Sequence, residues 1–398
     1  MNRSAILRLV MRRPGTPKAE LARLTNVTKA TVGLLAEELI KEGWLRAGGA
    51  VANGTGRPIT PLYLNPDGFL LIGAEIGVDY RNVVAINLLG QVVARRYRPV
   101  TIGTPTDAFS HLADEVNSLV EETRGRSVLG LGVGLPGPVE LGTDRLVVAP
   151  NLGWRDVDAR RLIFEALQGV GLTQLPLLLE NEANAGALSE YIFAERAADG
   201  LLIYLSLGIG VGGGIILNDG VFLGLQGYAG EVGHITLVPD GPLCTCGRRG
   251  CAKALIGQRS ISRELTGTEN LSADEIRQFA TDHPEQAAPV LSQVGRYIGM
   301  LAGMLIGTIN PRSVVIGGPM AELGDVMIRA AAQVPPCSAR QFHLNTSLSS
   351  GDNLGEMPVR SVPQGVSCTH SSPPQLEGDE HFMCHVKVRL KTLSIRST

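Results

Sequence analysis

The sequence predicts an α/β body carried behind a short, basic, helical head. Three observations predict it. From residue 70 onward, apolar runs with strand alternation take turns with amphipathic helices, which is the pattern of an α/β core. The first 64 residues read as helices and hold ten Lys/Arg against four Asp/Glu, a net of +6 that leaves −8 for the rest of a chain whose total is −2. Between residues 234 and 251, one imidazole and three thiols fall at the spacing His-x9-Cys-x-Cys-x4-Cys.

In the head, Asn2 to Arg13 reads as a first helix, with Ile6, Leu9 and Val10 apolar on one face. Pro14-Gly15-Thr16-Pro17 ends it, and Lys18 to Leu24 forms a second. Thr28 is a good N-cap for a third helix reaching about Glu42, with Val32, Leu35, Leu39 and Ile40 inward. Two short helices and a longer one fit a helix-turn-helix, in which Thr28, Lys29, Ala30 and Thr31 would offer themselves to a major groove. Trp44-Leu45-Arg46 and Pro61 to Leu64 would pair as strands of a wing, with Arg57 on its tip suited to a narrow minor groove. A basic head on an acidic body suits a polyanion partner such as operator DNA. The other reading of residues 1–64 is a small protein-interaction module.

In the body, Leu70 to Val78 and Asn82 to Leu88 read as strands, Ala108 to Arg124 as a helix and Val128 to Leu135 as a buried strand. Leu201 to Leu207, the helix Val294 to Ile309 and the strand Val314 to Gly318 follow. At 398 residues, 44% of them hydrophobic and 19% charged, the chain has room for two or three ordinary globular domains. No basic-then-apolar leader is visible, and the run Leu201–Leu217 is broken by five glycines, so it reads as strand and turn rather than a membrane span. The expected setting is the cytoplasm, without membrane association, where thiols stay reduced.

The His234, Cys244, Cys246 and Cys251 set satisfies a four-coordinate structural zinc, which favours sulfur and imidazole ligands. Gly247 and Gly250 lie between the thiols, where a chain folding back needs residues tolerant of positive φ. Three buried or disulfide-bonded cysteines beside an unrelated histidine are the alternative.

The run Gly227 to His234, of the form G-x-x-G-E-x-G-H, followed by C-x-C-G-x-x-G-C, resembles the signature of the ROK family of repressors, reading frames and sugar kinases. The Thr-Lys-Ala-Thr-Val helix start and the Gly-Arg-Pro wing resemble that family's regulators. The resemblance covers residues 1 to about 335. It implies a winged helix-turn-helix over 1–64, then a two-lobed actin-like (ribonuclease H-like) domain with lobes at 70–185 and 186–335 and a zinc knuckle in the second. It also implies a sugar bordered by Gly137, Asn151, Asn181, Glu182, Glu231 and His234. Where the family carries C-x-E after the knuckle, this chain has Cys251-Ala252-Lys253.

The same resemblance weighs against phosphoryl transfer. The first phosphate loop, D-x-G-x-T in the kinases, reads Glu75-Ile76-Gly77-Val78-Asp79, and Asp79 sets a negative charge against phosphate. The second keeps its glycines from Gly208 to Gly214 and loses its threonine. The catalytic aspartate of E-N-D-x-N is Glu182, one methylene longer and doubtful as a base. The expectation is therefore a sugar-responsive repressor of carbohydrate genes, a homodimer or homotetramer close to the xylose-repressor branch, and no enzyme. An ATP-dependent, glucokinase-like sugar kinase is the alternative. Residues 336–398 lose helical and strand periods, and two accounts fit them: a shifted reading frame, and a disordered regulatory tail.

Overall fold

The computed structural model describes residues 2–53, 56–193, 200–334 and 344–346. The head begins with α1 (Asn2–Arg12), the short strand β1 (Thr16–Pro17), α2 (Lys18–Thr25) and α3 (Lys29–Lys41). Asn26 takes the left-handed conformation that ends α2, and the Thr28 hydroxyl accepts from the Thr31 N–H at 3.2 Å to start α3. Strands β2 (Leu45–Ala47), β3 (Val51–Asn53), β4 (Gly56–Ile59) and β5 (Pro61–Leu64) follow. β5 pairs with β1 and β2, and β3 with β4 makes a hairpin beyond them. The head core holds Ile6, Val10, Leu21, Val32, Ala36, Leu39, Leu45 and Leu62. Ala36 takes the central place expected of Leu35 and Ile40, which pack only at its margin. A small residue there lets α3 approach α2 closely.

The body is built twice on one plan. In the first lobe β6 (Phe69–Ile76), β7 (Tyr80–Asn87) and β8 (Val92–Pro99) form an antiparallel meander, and β9 (Ser127–Leu135) joins β6 in parallel. The hairpin β10 (Leu146–Ala149) and β11 (Trp154–Val157) precedes β12 (Leu177–Asn181), giving the order β12-β9-β6-β7-β8. Helices α4 (Pro105–Glu122) and α5 (Ala159–Gly169) bury their apolar faces in this lobe's core. Phe109 of α4 is fully buried, its ring 6.4 Å from Trp154. Phe109→Ala is expected to cost about 3–5 kcal/mol of stability, read as a lower denaturant midpoint.

The second lobe repeats the arrangement after α6 (Glu182–Phe193): β13 (Leu202–Leu207), β14 (Val211–Leu217), β15 (Gly220–Val221), β16 (Ser313–Gly317) and β17 (Leu344–Thr346), in the order β15-β14-β13-β16-β17. Its helices α7 (Ala252–Ile256), α8 (Gln258–Thr266), α9 (Ala273–Asp282), α10 (Pro284–Ile309) and α11 (Asp325–Ala332) share one core with the sheet. α10 is long and apolar enough to cross a membrane, yet Leu291, Val294, Ile298, Leu301 and Leu305 lie in that core.

Two boundaries differ from expectation. α6 starts at Glu182, and Ala187 and Tyr191 pack with Leu202, Tyr204 and Ile216 of the second sheet, so this helix belongs there before residue 186. β17 pairs in parallel with β16 through Leu344–Thr346, past the expected end of the lobe at 335. The rest of the 336–398 tail lies outside the described residues.

The head rests on both lobes. Trp44 lies 4.2 Å from Phe69, ring centre to ring centre, and Leu88 of the first lobe packs on the head core. Arg12, at the end of α1, donates to Asp219 at 2.8 Å and to the Tyr191 hydroxyl at 3.3 Å in the second. Asn218 and Asp219 both take positive φ in the turn that presents this carboxylate.

Candidate functional site

The cysteine knuckle forms where the chain reverses after a single 3-10 turn at Val232–His234. Gly250, at φ +65, passes the Val238 carbonyl so closely that a side chain would overlap it, and its N–H donates to Pro242 O at 2.8 Å. That reversal returns Cys251 to His234. The four ligand atoms of His234, Cys244, Cys246 and Cys251 lie within 4.8 Å of one another. Cys244 Sγ is 3.6 Å from His234 Nδ1, and Cys246 Sγ is 3.7 Å from Cys251 Sγ. A tetrahedron with metal–sulfur bonds of about 2.3 Å has edges of about 3.8 Å, so the donor set fits zinc. Burial raises the Cys251 thiol to about 12, helped by its hydrogen bonds to Cys246 and Cys244. Against the cost of burial, hydrogen bonds from Arg248 bring Cys246 down to about 7. Neighbouring thiols cannot all ionise without a cation among them.

His234 turns its other nitrogen, Nε2, toward Glu231, 4.0 Å away. Glu231 opens the second-lobe side of a cleft. On the facing side, β9 and β12 end beside the start of α6, the strand-end position where open parallel sheets collect ligands. Gly137 follows β9, and a side chain there would strike the Val148 carbonyl. Its own carbonyl accepts from Asn181 Nδ2 at 3.1 Å. The Asn181 amide also donates to Glu182 at 2.8 Å, and its oxygen accepts from the Ala183 and Asn184 N–H groups. Asn181 therefore caps α6 and aims Glu182, with its hydrogen-bonding capacity used up internally.

Glu182 is the centre of the cleft's electrostatics. Burial, reinforced by Glu75 and Glu231, pushes its carboxyl up to about 8. Burial also raises Glu75 and Glu231. A carboxyl neutral at pH 7 both donates and accepts, which suits hydroxyls. Because the folded-state value lies above the unfolded one, the unfolded chain releases this proton first, and stability falls as pH rises from about 4.5 to 8. Glu182→Gln is expected to flatten that slope, stabilising the protein at pH 8 by up to about 2–3 kcal/mol; thermal melts from pH 5 to 8.5 read it.

Sequence reasoning missed Tyr80. Its ring covers Gly77, where even a Cβ would come within 2.4 Å of it, and its hydroxyl donates to Glu75 Oε1 at 2.5 Å. The first glycine turn is thus closed by an aromatic ring and flanked by carboxylates. In the second glycine stretch, side chains on Gly212 and Gly214 would overlap α6, and one on Gly213 would overlap Val232. Those three glycines are set by helix-to-sheet packing, while Gly210 faces open space. Asn151 lines a cavity with Lys253 and Arg259 whose lining includes neither Asn181 nor Glu182.

In the head, Thr28, Lys29 and Ala30 are exposed, and Thr31 is half-buried with its hydroxyl 2.8 Å from that of Thr28. Leu34, 65% exposed one turn further along α3, continues this face and was not anticipated. The Arg57 side chain lies outside the described residues, although its backbone belongs to β4.

The profile of the ROK family matches residues 71–351. The xylose repressor of Caldicellulosiruptor bescii is 30% identical over 352 residues, covering 84% of this chain and 87% of that protein. Among solved structures, a ROK family transcriptional regulator, a homologue of the E. coli MLC protein, superposes with a TM-score of 0.70 at 22% identity over 87% of this chain and 91% of that one. A ROK family glucokinase from Streptomyces griseus, solved with glucose and AMPPNP, shares the fold at a TM-score of 0.59 and 24% identity, over 70% of this chain and 94% of its own.

Proposed function

The chain belongs to the ROK family, and we propose that within it this protein is a sugar-responsive transcriptional repressor without phosphoryl-transfer activity. The observation that carries this reading is the Tyr80 ring over Gly77 with its hydroxyl on Glu75. A nucleotide would have to displace that ring and bring polyphosphate into a pocket of acidic groups, Glu75 and Glu231 around a Glu182 that burial, reinforced by these two neighbours, already holds protonated. The similarity to a xylose repressor makes xylose the first sugar to test, and carbohydrate-utilisation genes the first targets.

Residues 1–64 act as a winged helix-turn-helix. Thr28, Lys29, Ala30 and Thr31 meet the major groove and Arg57 the minor groove, with Leu34 placed for a thymine methyl. A homodimer or homotetramer, working in the cytoplasm, would set two heads on half-sites about 34–36 Å apart or a multiple of that. Zinc on His234, Cys244, Cys246 and Cys251 ties down the segment that carries Glu231. Gly137, Asn151, Asn181, Glu182, Glu231 and His234 border the sugar: Gly137 and Asn181 set the position of Glu182, and the carboxyls and the free imidazole nitrogen meet hydroxyls. Closure of the lobes on the sugar moves Asp219 and Tyr191 relative to Phe69 and Leu88. The head grips both sets and must turn with them.

One observation favours a sugar kinase instead: Gly210, in the second glycine stretch, faces open space, as a phosphate loop would. An ADP-release assay with Mg-ATP across a panel of pentoses and hexoses separates the two readings. No saturable turnover is expected; saturable turnover with any sugar would overturn the repressor-only reading.

A further inference from the structure

Gly33 is the fifth residue of α3, inside the helix, where glycine is less favourable than alanine. Neither backbone nor packing accounts for it. It is not among the glycines of positive φ, and a Cβ added there would stand in open space. The buried face of α3 is carried by Val32, Ala36 and Leu39. What calls for a missing side chain at Gly33 therefore lies outside the chain, on the side of α3 turned to solvent.

Helical spacing puts Gly33 on that side together with Lys29, Ala30, Leu34 and Glu37. The centre of this face, Ala30, Gly33 and Leu34, offers no hydrogen-bonding side chain, and Leu34 is 65% exposed. At its margins the Thr28 and Thr31 hydroxyls lie 2.8 Å apart, engaged with each other, and Glu37 accepts from Lys18 at 3.2 Å. Lys29 supplies a cation suited to a phosphate. The net charge of +6 over residues 1–64 favours nucleic acid as the occupant of this face. Of the features that base pairs present in the major groove, the thymine methyl is the one read by apolar contact alone.

We propose that Ala30, Gly33 and Leu34 form an apolar reading surface, that base edges close on the α3 backbone at Gly33, and that the bases read there are thymines, recognised by their 5-methyl groups. The proposal rests on the DNA-binding reading of residues 1–64 and says how that head selects its sequence. Without a Cβ at Gly33 the helix can sink deeper into the groove, by about the thickness of a methyl group, and Leu34 then reaches the groove floor. Each thymine methyl buried in this way is worth about fourfold in affinity.

The test uses the full-length, zinc-loaded protein and the site it protects in DNA flanking its own gene. Each thymine of that site is replaced singly by deoxyuridine, which removes the 5-methyl group and nothing else, and affinity is read by fluorescence anisotropy. At least one thymine in each half-site should lose about fourfold on replacement. Leu34→Ala should bind thymine and deoxyuridine sites alike. Gly33→Ala should melt no lower than the unaltered protein, because alanine suits the helix better, yet bind its site at least about tenfold more weakly. Its affinity for unrelated DNA should stay within about twofold, since phosphate contacts carry that binding. A deoxyuridine scan without loss, or full specific affinity in Gly33→Ala, would overturn the proposal and leave DNA recognition intact. Absence of any sequence-specific binding would sink both.

Discussion

Cys246→Ser is expected to reduce bound zinc from about one ion per chain to under about a tenth and to lower the melting temperature by roughly 10–20 °C. Cys246 isolates the metal's contribution because its side chain is exposed, whereas Cys244 and Cys251 are buried and their replacement would also disturb packing. The size of the drop follows from what the knuckle holds. His234 and Cys251 are bridged through Thr236 and the strand-like return of Leu243 and Arg249, and Ala252 immediately afterwards enters the second lobe's core. Losing several kcal/mol of metal binding in a domain of this size shifts melting by about 2–4 °C per kcal/mol. Elemental analysis and calorimetry check both halves. A variant that keeps full zinc, or melts unchanged after losing it, would remove the metal from the account. A chelator on the unaltered protein should give the same shift, reversed by added zinc.

Asp219→Ala is expected to leave DNA affinity without sugar within about twofold and to cut the sugar-induced change in that affinity by about tenfold, within the usual range of coupling free energies. Asp219 accepts from Arg12 at the end of α1 and contacts the Tyr191 hydroxyl, so it joins the head to the second lobe. Trp44 on Phe69 and Leu88 on the head core join the head to the first lobe. Without Asp219 the head would keep, of these contacts with the second lobe, only the 3.3 Å bond from Arg12 to the Tyr191 hydroxyl. Both partners are partly exposed, with side chains 40% and 26% accessible, so the pair itself is worth only about 1 kcal/mol and melting should hardly move. Fluorescence anisotropy on labelled DNA, with and without sugar, reads the result. Arg12→Ala should behave alike, and a full sugar response in both variants would place the coupling elsewhere.

The sequence carried what short-range spacing and local propensity can carry. The knuckle was legible because its four ligands span eighteen positions, and glycines at 247 and 250 betray the reversal. The α3 start was legible because Thr28 can only help a helix that begins there. Other features depend on contacts between distant segments. Arg12 meets Asp219 across 207 positions, and Asn151 lines one cavity with Lys253 and Arg259. The role of Tyr80 depends on its ring folding back over Gly77, which no periodicity encodes. The lobe boundary was misplaced because α6 begins with the acidic residues of one lobe while its small residues, Ala183 and Ala187, fit the glycines of the other. The resemblance places Asn181 beside the sugar; only the geometry reveals that its oxygen caps α6 and its amide N–H groups go to Gly137 and Glu182.

The most direct measurement is the affinity of the zinc-loaded protein for DNA flanking its own gene, titrated with sugars. At least one sugar should weaken a sequence-specific complex by about fivefold or more, saturably, with no ADP released when Mg-ATP is present. Specific DNA binding that no sugar alters, together with sugar-dependent ADP release, would contradict the account.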